Sequence, residues 1–441
     1  MKKILITAMH SGAGKTVLSC GLMAAFQKRG VDVRAFKCGP DYIDPMFHSW
    51  VLGVPSRNLD LFLQGEAGVC RSLREAEGDL AILEAAMGYY DGLAGTDEAS
   101  AYDLARRTGT PALLVLRPKG SGLSLAAQVQ GMMHFRSPSN LAGLLLTDCQ
   151  PGLAAYLRPL LERECGLPVL GALPPMEEAR LESRHLGLLT AGEVEDLSAR
   201  MDKISEQVEK SVDLDALLAL TVEDETKTAK PAFPPPRCRI AVARDEAFCF
   251  CYEDSLDALR KAGAEIVFFS PLRDACLPER TAGLYLCGGY PELYARRLSE
   301  NAAMRRCIRE AVEDGMPTVA ECGGFLYLQQ SLESESGQAF PQCGVFPGRG
   351  YRTERLQRFG YLWLEAERDS LLFRAGERVP AHEFHYWDCS ENGEDLTCVK
   401  PGGRSWRCGY AGSALYAAFP HLHLGGERPL AERFVEACEK E

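Results

Sequence analysis

Residues 4–16 read Ile-Leu-Ile-Thr-Ala-Met-His-Ser-Gly-Ala-Gly-Lys-Thr, and the order of residue types in this stretch decides the fold of the first half of the chain. Residues 4–8 are an apolar run of strand length, and residues 15–29 have the length and composition of a helix. Between them, Gly12 and Gly14 let backbone N–H groups converge on phosphate oxygens, and the helix that follows adds its N-terminal dipole. In this placement Lys15 neutralises outer phosphates and the Thr16 hydroxyl helps hold Mg2+. The strict phosphate-loop pattern asks for a glycine at position 9, where this chain has Met9.

The same alternation of short strand and longer helix extends outward from this motif. Apolar runs at 80–83, 112–116 and 141–147 alternate with helical stretches at 99–108, 121–135 and 152–164. Later runs at 239–243, 265–269, 283–286 and 318–320 again read as buried strands separated by helices. Alternation of this kind predicts α/β architecture with parallel sheets covered on both faces by helices. Residues 221–236 carry charge, threonine and four prolines without apolar periodicity, as an extended linker does. The expected organisation is a first domain over 1–225, a linker over 226–236 and a second domain over 237–441.

Bulk properties narrow the classes of function. With 441 residues, 46% hydrophobic and 25% charged, the chain exceeds what one core usually spans. A net charge of −12 argues against a nucleic-acid partner, because phosphate-backbone binding needs concentrated basic surface. No apolar run approaches the roughly 18 residues of a membrane span, and the run after Lys2-Lys3 is too short for a signal peptide. A cytoplasmic protein without a membrane partner is expected, and a homodimer is allowed. The seventeen cysteines contain no Cys-x-x-Cys pair, so reduced, mostly buried thiols are expected, with at most one or two chemically active.

Further residues carry chemistry by their position. Glu84 ends the 80–83 run, where a carboxylate holds the Mg2+ of a nucleotide site. Asp41 and Asp44, fixed by Pro40 and Pro45, read either as positioned carboxylates or as local backbone caps. Thr318-Val-Ala-Glu-Cys-Gly-Gly324 places Cys322 on a tight turn between strand and helix. A helix N-terminus there would depress the thiol pKa, and Gly323 and Gly324 allow the elbow. The upstream loop Cys287-Gly-Gly-Tyr-Pro-Glu292 brings Gly288 and Gly289, whose N–H groups, with that of Gly323, suit an oxyanion. The base for Cys322 is open among His382, His385, His421 and His423. His382-Glu-Phe-His385 lacks the spacing of the His-Glu-x-x-His zinc helix.

Taken together, Lys37-Cys-Gly-Pro-Asp-Tyr-Ile-Asp-Pro45, Pro55-Ser-Arg-Asn-Leu-Asp60 and Glu84 through Met87-Gly-Tyr-Tyr-Asp-Gly92 resemble the cobyrinic acid a,c-diamide synthase family. Leu286-Cys-Gly-Gly-Tyr-Pro-Glu-Leu293, Ala320-Glu-Cys-Gly-Gly324 and Ala381-His-Glu-Phe-His-Tyr386 are similar to its glutamine amidotransferase blocks. The resemblance runs from end to end, and it accounts for Met9, because members of the family lack the first loop glycine. It implies a dethiobiotin-synthetase-like P-loop domain followed by a triad-type glutamine amidotransferase domain.

Several roles follow from the resemblance. Lys37 joins Gly12, Gly14, Lys15 and Thr16 at ATP, Thr16 and Glu84 hold Mg2+, and Asp41, Tyr42 and Asp44 position substrate. Cys322 attacks glutamine. In Ala418-Phe-Pro-His-Leu-His423 the first histidine aligns with the catalytic one, making His421 the base, with His423 as the fallback. The acid usually found two residues after that histidine is absent, because position 423 is itself histidine. The implied reaction is amidation of the a and c acetates of cobyrinate through an acyl phosphate, with ammonia released from glutamine. Relatives using the same motifs act on hydrogenobyrinate or nickel-sirohydrochlorin, and a non-amidating P-loop ATPase switch would need no Cys322. Two stretches depart from the family pattern: Leu114-Val-Leu-Arg-Pro-Lys119 and Thr147-Asp-Cys-Gln150. Contacts to the nucleotide base are therefore not assigned from sequence.

Overall fold

Ile4, Leu5 and Ile6 are consecutive and all fully buried, so the strand they form is covered on both faces, as a central parallel strand must be. In the computed structural model, which describes residues 1–178, 191–223 and 233–439, this strand is β1 (Lys2–Ala8). It pairs in parallel with β4 (Leu80–Glu84) and β5 (Ala112–Leu116). With β2 (Val33–Cys38), β3 (Ser56–Leu59), β6 (Leu141–Leu146) and β7 (Val169–Ala172) the sheet runs β3-β2-β4-β1-β5-β6-β7, and a short β8 (Val222–Glu223) adds antiparallel to β1. The helices of this part are α1 (Lys15–Lys28), α2 (Ile43–Trp50), α3 (Leu61–Glu75, interrupted at Gly65), α4 (Ala101–Thr108), α5 (Leu123–His134), α6 (Pro151–Cys165), α7 (Ala191–Ser211) and α8 (Leu214–Leu220).

The chain divides into two compact units, Met1–Leu61 with Val69–Lys230, and Phe62–Gly68 with Pro231–Glu441. The short segment Phe62–Gly68 groups with the second unit, a split that contiguous domain boundaries do not anticipate. Its Phe62 ring lies 4.8 Å from Tyr361 and 4.6 Å from Trp363. Of the expected linker, residues 226–232 lie outside the described residues, and residues 233–236 are exposed and without regular structure.

The second unit holds two sheets. The first runs β10 (Ala264–Phe269), β9 (Cys238–Ala243), β11 (Gly283–Leu286), β12 (Thr318–Glu321), β20 (Leu415–Ala418), β19 (Tyr410–Ala411), all parallel except the last pair. The helices of this unit are α9 (Glu253–Lys261), α10 (Ala295–Glu300), α11 (Ala302–Glu313), α12 (Gly323–Leu328) and α13 (Leu430–Cys438). The second sheet is a departure from the expectation of parallel strands alone. It runs β14 (Ala339–Pro341), β13 (Gln329–Glu333), β15 (Phe346–Ala366), β16 (Arg378–Cys389), β21 (His421–Leu422), with β17 (Leu396–Val399) paired to β15 and β18 (Ser405–Cys408) paired in turn to β17. Its long β15–β16 pair is antiparallel, and β16 pairs with β21 so that His382 lies opposite His421. Antiparallel neighbours need no helical crossover, so no strand–helix alternation advertises them.

One expectation about cysteine is corrected. Cys276 and Cys307, with Cα atoms 5.8 Å apart, are disulfide-bonded, a separation within the range a bridge spans. The remaining thiols are free and most are buried. Among the described residues no helix is long and apolar enough to cross a membrane.

Candidate functional site

At the end of β1 the chain turns through Gly12 (φ +79°) and Gly14 (φ +87°), left-handed conformations that an L side chain rarely adopts. Gly14 then caps α1, which aims the backbone of Gly14, Lys15 and Thr16 at the turn. Lys15 Nζ donates to the carbonyls of Met87 (2.6 Å) and His10 (3.2 Å), which hold the ammonium over the loop. Met87 itself sits at φ +52°, local strain of the kind that gathers at functional turns.

Glu84, fully buried at the end of β4, organises the floor of this site. Its Oε1 accepts from Thr16 Oγ1 at 2.7 Å and from Lys37 Nζ at 2.9 Å, and its Oε2 lies 3.4 Å from His48 Nε2. Lys37 also reaches Asp44 Oδ2 at 2.5 Å. Burial alone would push the Glu84 carboxyl up, but Lys37, His48 and Thr16 outweigh it and hold it below the ordinary carboxylate range. Asp44 moves the other way: burial, then the Glu84 charge, push it up to about 7 against the pull of Lys37. Burial and then Lys37 lower the Lys15 ammonium.

Thr16, Lys37, Asp44 and Glu84 are thus brought together. Asp41 is not hydrogen-bonded into the cluster; its Oδ1 accepts from the Ile43 N–H at 2.7 Å, the local backbone cap that the sequence left open. Tyr42 stands at the start of α2. Hard oxygen donors from Thr16 and Glu84 fit Mg2+, which takes few protein ligands and completes its shell with phosphate and water. Among the described residues no three His, Cys, Asp or Glu side chains group to hold a metal. Two further residues brace the loop: Asn58, from the Pro55–Asp60 stretch, donates its Nδ2 to the carbonyls of Gly39 and Asp41 at 2.9 and 2.6 Å, and His48 Nδ1 lies 3.0 Å from Ser56 Oγ.

The two departures from the family pattern meet. Arg117 Nε donates to Asp148 Oδ2 at 2.8 Å, and the neighbouring Thr147 Oγ1 donates to the Ala13 carbonyl at 2.7 Å. The substituted stretches therefore form one contact beside the phosphate loop.

In the second unit, β12 delivers Cys322 at φ +48°, a strained elbow between strand and α12. The Cys322 N–H donates to the Ala418 carbonyl at 2.8 Å. The expectation of a depressed thiol pKa is overturned: burial pushes the thiol up, the Glu292 and Glu383 carboxylates push it further, and the Gly323 backbone opposes them only in part.

His421 is 2% exposed, and a Cβ added to Gly288 would lie 2.4 Å from its Cε1, so only glycine admits the imidazole there. A Cβ on Gly323 would in turn lie 3.0 Å from the Gly289 nitrogen. The loop residues Gly288 and Gly289, the elbow and His421 are thus neighbours. His423 instead packs its ring 5.0 Å from Tyr252. His385 Nε2 lies 2.8 Å from Glu383 Oε1 and its ring stacks 3.9 Å from Phe419, a structural role. Burial, then His421, hold His382 neutral, its imidazolium pushed down to about 3. Sequence reasoning passed over Glu321, whose only signal was its place beside Cys322 at the end of a buried strand. Its Oε2 lies 3.6 Å from His421 Nδ1.

Comparison with known proteins agrees with this division. Residues 4–189 match the CobQ/CobB/MinD/ParA nucleotide binding domain, and residues 239–429 match the CobB/CobQ-like glutamine amidotransferase domain. Over 98% of this chain and 98% of the relative, the sequence is 37% identical to the cobyrinate a,c-diamide synthase of Caldanaerobacter subterraneus subsp. tengcongensis. It is 38% identical to that of Clostridium acetobutylicum, over 99% and 100% of the two chains. It is 37% identical to that of Salmonella typhimurium, over 99% and 98%. Similarity at this level across the whole length, with a nucleotide-binding unit and a cysteine elbow in one chain, means that the chain belongs to the cobyrinate a,c-diamide synthase family of glutamine-dependent amidating ligases.

Proposed function

We propose that this protein converts the a and c acetate carboxylates of cobyrinate to amides, using ATP and the amide nitrogen of glutamine. The observation that carries the reading is that one chain joins the Thr16–Lys37–Glu84 cluster behind a phosphate loop to a Cys322 elbow beside His421. A carboxylate is a poor electrophile, and transfer of the γ-phosphoryl group to it gives an acyl phosphate that ammonia can attack. In the first unit the backbone N–H groups of Gly12 and Gly14 bind the phosphates and Lys15 and Lys37 offset their charge; Thr16 and Glu84 would hold Mg2+, which would screen phosphoryl charge. Asp44, Asp41 and Tyr42 position substrate and ammonia.

In the second unit the Cys322 sulfur attacks the glutamine side-chain carbonyl while His421 takes the thiol proton. The oxyanion forms against the N–H groups of Gly288, Gly289 and Gly323. His421 then returns the proton to the departing ammonia, and water hydrolyses the thioester to glutamate.

The test offers cobyrinate, hydrogenobyrinate and nickel-sirohydrochlorin in turn to the purified protein with ATP, Mg2+ and either glutamine or ammonium. Two amides on cobyrinate, with ATP consumed for each, are expected. ATP hydrolysis that is indifferent to every macrocycle would overturn the reading in favour of a nucleotide switch.

A further inference from the structure

The sequence left His421 without its usual acid, because the position two residues later is His423. The fold brings a different carboxylate to the same imidazole. Strand β12 pairs in parallel with β20 so that Glu321 lies opposite Ala418, and the chain needs only three more residues to reach His421. Glu321 is fully buried. Its Oε1 accepts the N–H of Leu422 at 3.0 Å, and its Oε2 accepts from Tyr285 Oη at 3.2 Å. Those two bonds fix the carboxylate plane and leave Oε2 facing His421 Nδ1 at 3.6 Å.

We propose that Glu321, the residue immediately before the nucleophile, is the positioning acid that orients His421 and stabilises its protonated form. The inference rests on the reading of Cys322 and His421 as the glutaminase pair. A carboxylate at Nδ1 selects the tautomer whose unprotonated Nε2 takes the thiol proton, and it stabilises the imidazolium formed when that proton moves. Separations somewhat longer than a hydrogen bond are common before substrate binds and tighten in the reacting complex. Among the described residues His382 also lies opposite His421, across the β16–β21 pair. Kept neutral by burial, His382 adds no charge at neutral pH. Tyr285 faces the carboxylate and donates to it. The raised Cys322 thiol makes an oriented base the more necessary, because little thiolate preexists.

The experiment measures glutamine hydrolysis by the full-length protein across pH for Glu321→Gln, Glu321→Asp, His421→Ala and the Glu321→Gln/His421→Ala double variant. Ammonia-dependent amidation by each variant serves as the check that the chain is folded. Glu321→Gln is expected to lower kcat for glutamine hydrolysis about 10²–10³-fold with KM within about threefold. It should also move the acid limb of kcat/KM to lower pH by about one unit, because an imidazolium without its carboxylate gives up its proton more readily. Glu321→Asp should recover part of the loss.

In the His421→Ala background the Glu321 substitution should cost nothing further, because Glu321 acts only through His421. The rate of Cys322 alkylation by a glutamine-like diazoketone reads the same cycle where hydrolysis is too slow to follow. An unmoved acid limb, or the same fold-loss with and without His421, would overturn the proposal. A His421→Ala enzyme that hydrolyses glutamine normally would instead overturn the reading of the pair itself.

Discussion

Glu84→Gln is the sharpest test of how the nucleotide unit is held together. The substitution keeps the side-chain shape and removes one buried negative charge. Lys37, itself 4% exposed, then loses a carboxylate at 2.9 Å but keeps Asp44 at 2.5 Å. Breaking a buried ion pair by removing one partner typically costs about 3–5 kcal/mol, and the retained Asp44 contact places this case near 3 kcal/mol. For a unit of this size that corresponds to a fall of about 6–12 °C in the melting of the first unit, at about 2–4 °C per kcal/mol. Loss of a charged ligand from the phosphoryl site should lower ammonia-dependent amidation at least about 100-fold. Glutaminase turnover should stay within about twofold. Differential scanning fluorimetry, ADP release with ammonium as donor and glutamate release from glutamine report the three quantities separately. A Glu84→Gln protein that melts within a degree of the parent and amidates within about threefold would refute the placement of Glu84 at the centre of the cluster. A Lys37→Met/Glu84→Gln double variant should show coupling of about 1 kcal/mol or more, because the two side chains touch.

Two further expectations concern single residues. Cys322→Ala should abolish glutamine-dependent amidation and leave the ammonia-dependent reaction intact, and loss of both in a folded protein would sink the two-site division of labour. Because Asp44 is pushed up to about 7, it is protonated below neutral pH and becomes a carboxylate only above it. Amidation measured at constant free ammonia should therefore rise through about pH 7, and Asp44→Asn should remove that rise; an unchanged profile takes Asp44 out of the mechanism. The stability sign is opposite to that of an ordinary paired carboxylate. A folded pKa above the unfolded value gives a contribution fully present below about pH 4 and lost as pH rises through 7, so Asp44→Asn should flatten that fall in a melting series.

Most of the parallel framework was legible because its central strands are buried on both faces and must be short apolar runs between helices. Leu80–Glu84 and Ala112–Leu116 announce themselves in this way. The β15–β16 pair does not: residues 351–360 are mostly polar or half-exposed, and an antiparallel partner needs no intervening helix to mark it. The segment Phe62–Gly68 was illegible for a related reason. Its grouping with the second unit depends on contacts such as Phe62 with Tyr361, hundreds of residues away in sequence, which no local pattern records.

The two chemical sites divide along the same line. The places of Lys15, Thr16, Glu84 and Cys322 could be read because each sits at a fixed offset from a strand end. Asp41 and Asp44 could not be told apart by spacing, since both lie in one loop; they differ because Asp41 closes a turn on Ile43 while Asp44 faces a buried ammonium. The thiol was misjudged for a different reason. Helix position was legible, but the carboxylates of Glu292 and Glu383, which reinforce its burial, arrive from distant strands and loops. Glu321 is the clearest instance. As text it is the residue before the nucleophile, whereas an acid for His421 is sought near His421. Only the parallel register of β12 with β20 brings the two together, so the side chain adjacent to Cys322 in sequence faces the imidazole. An acid supplied from the nucleophile's own strand keeps its geometry tied to the elbow, so a substitution that shifts β12 should disturb nucleophile and base together.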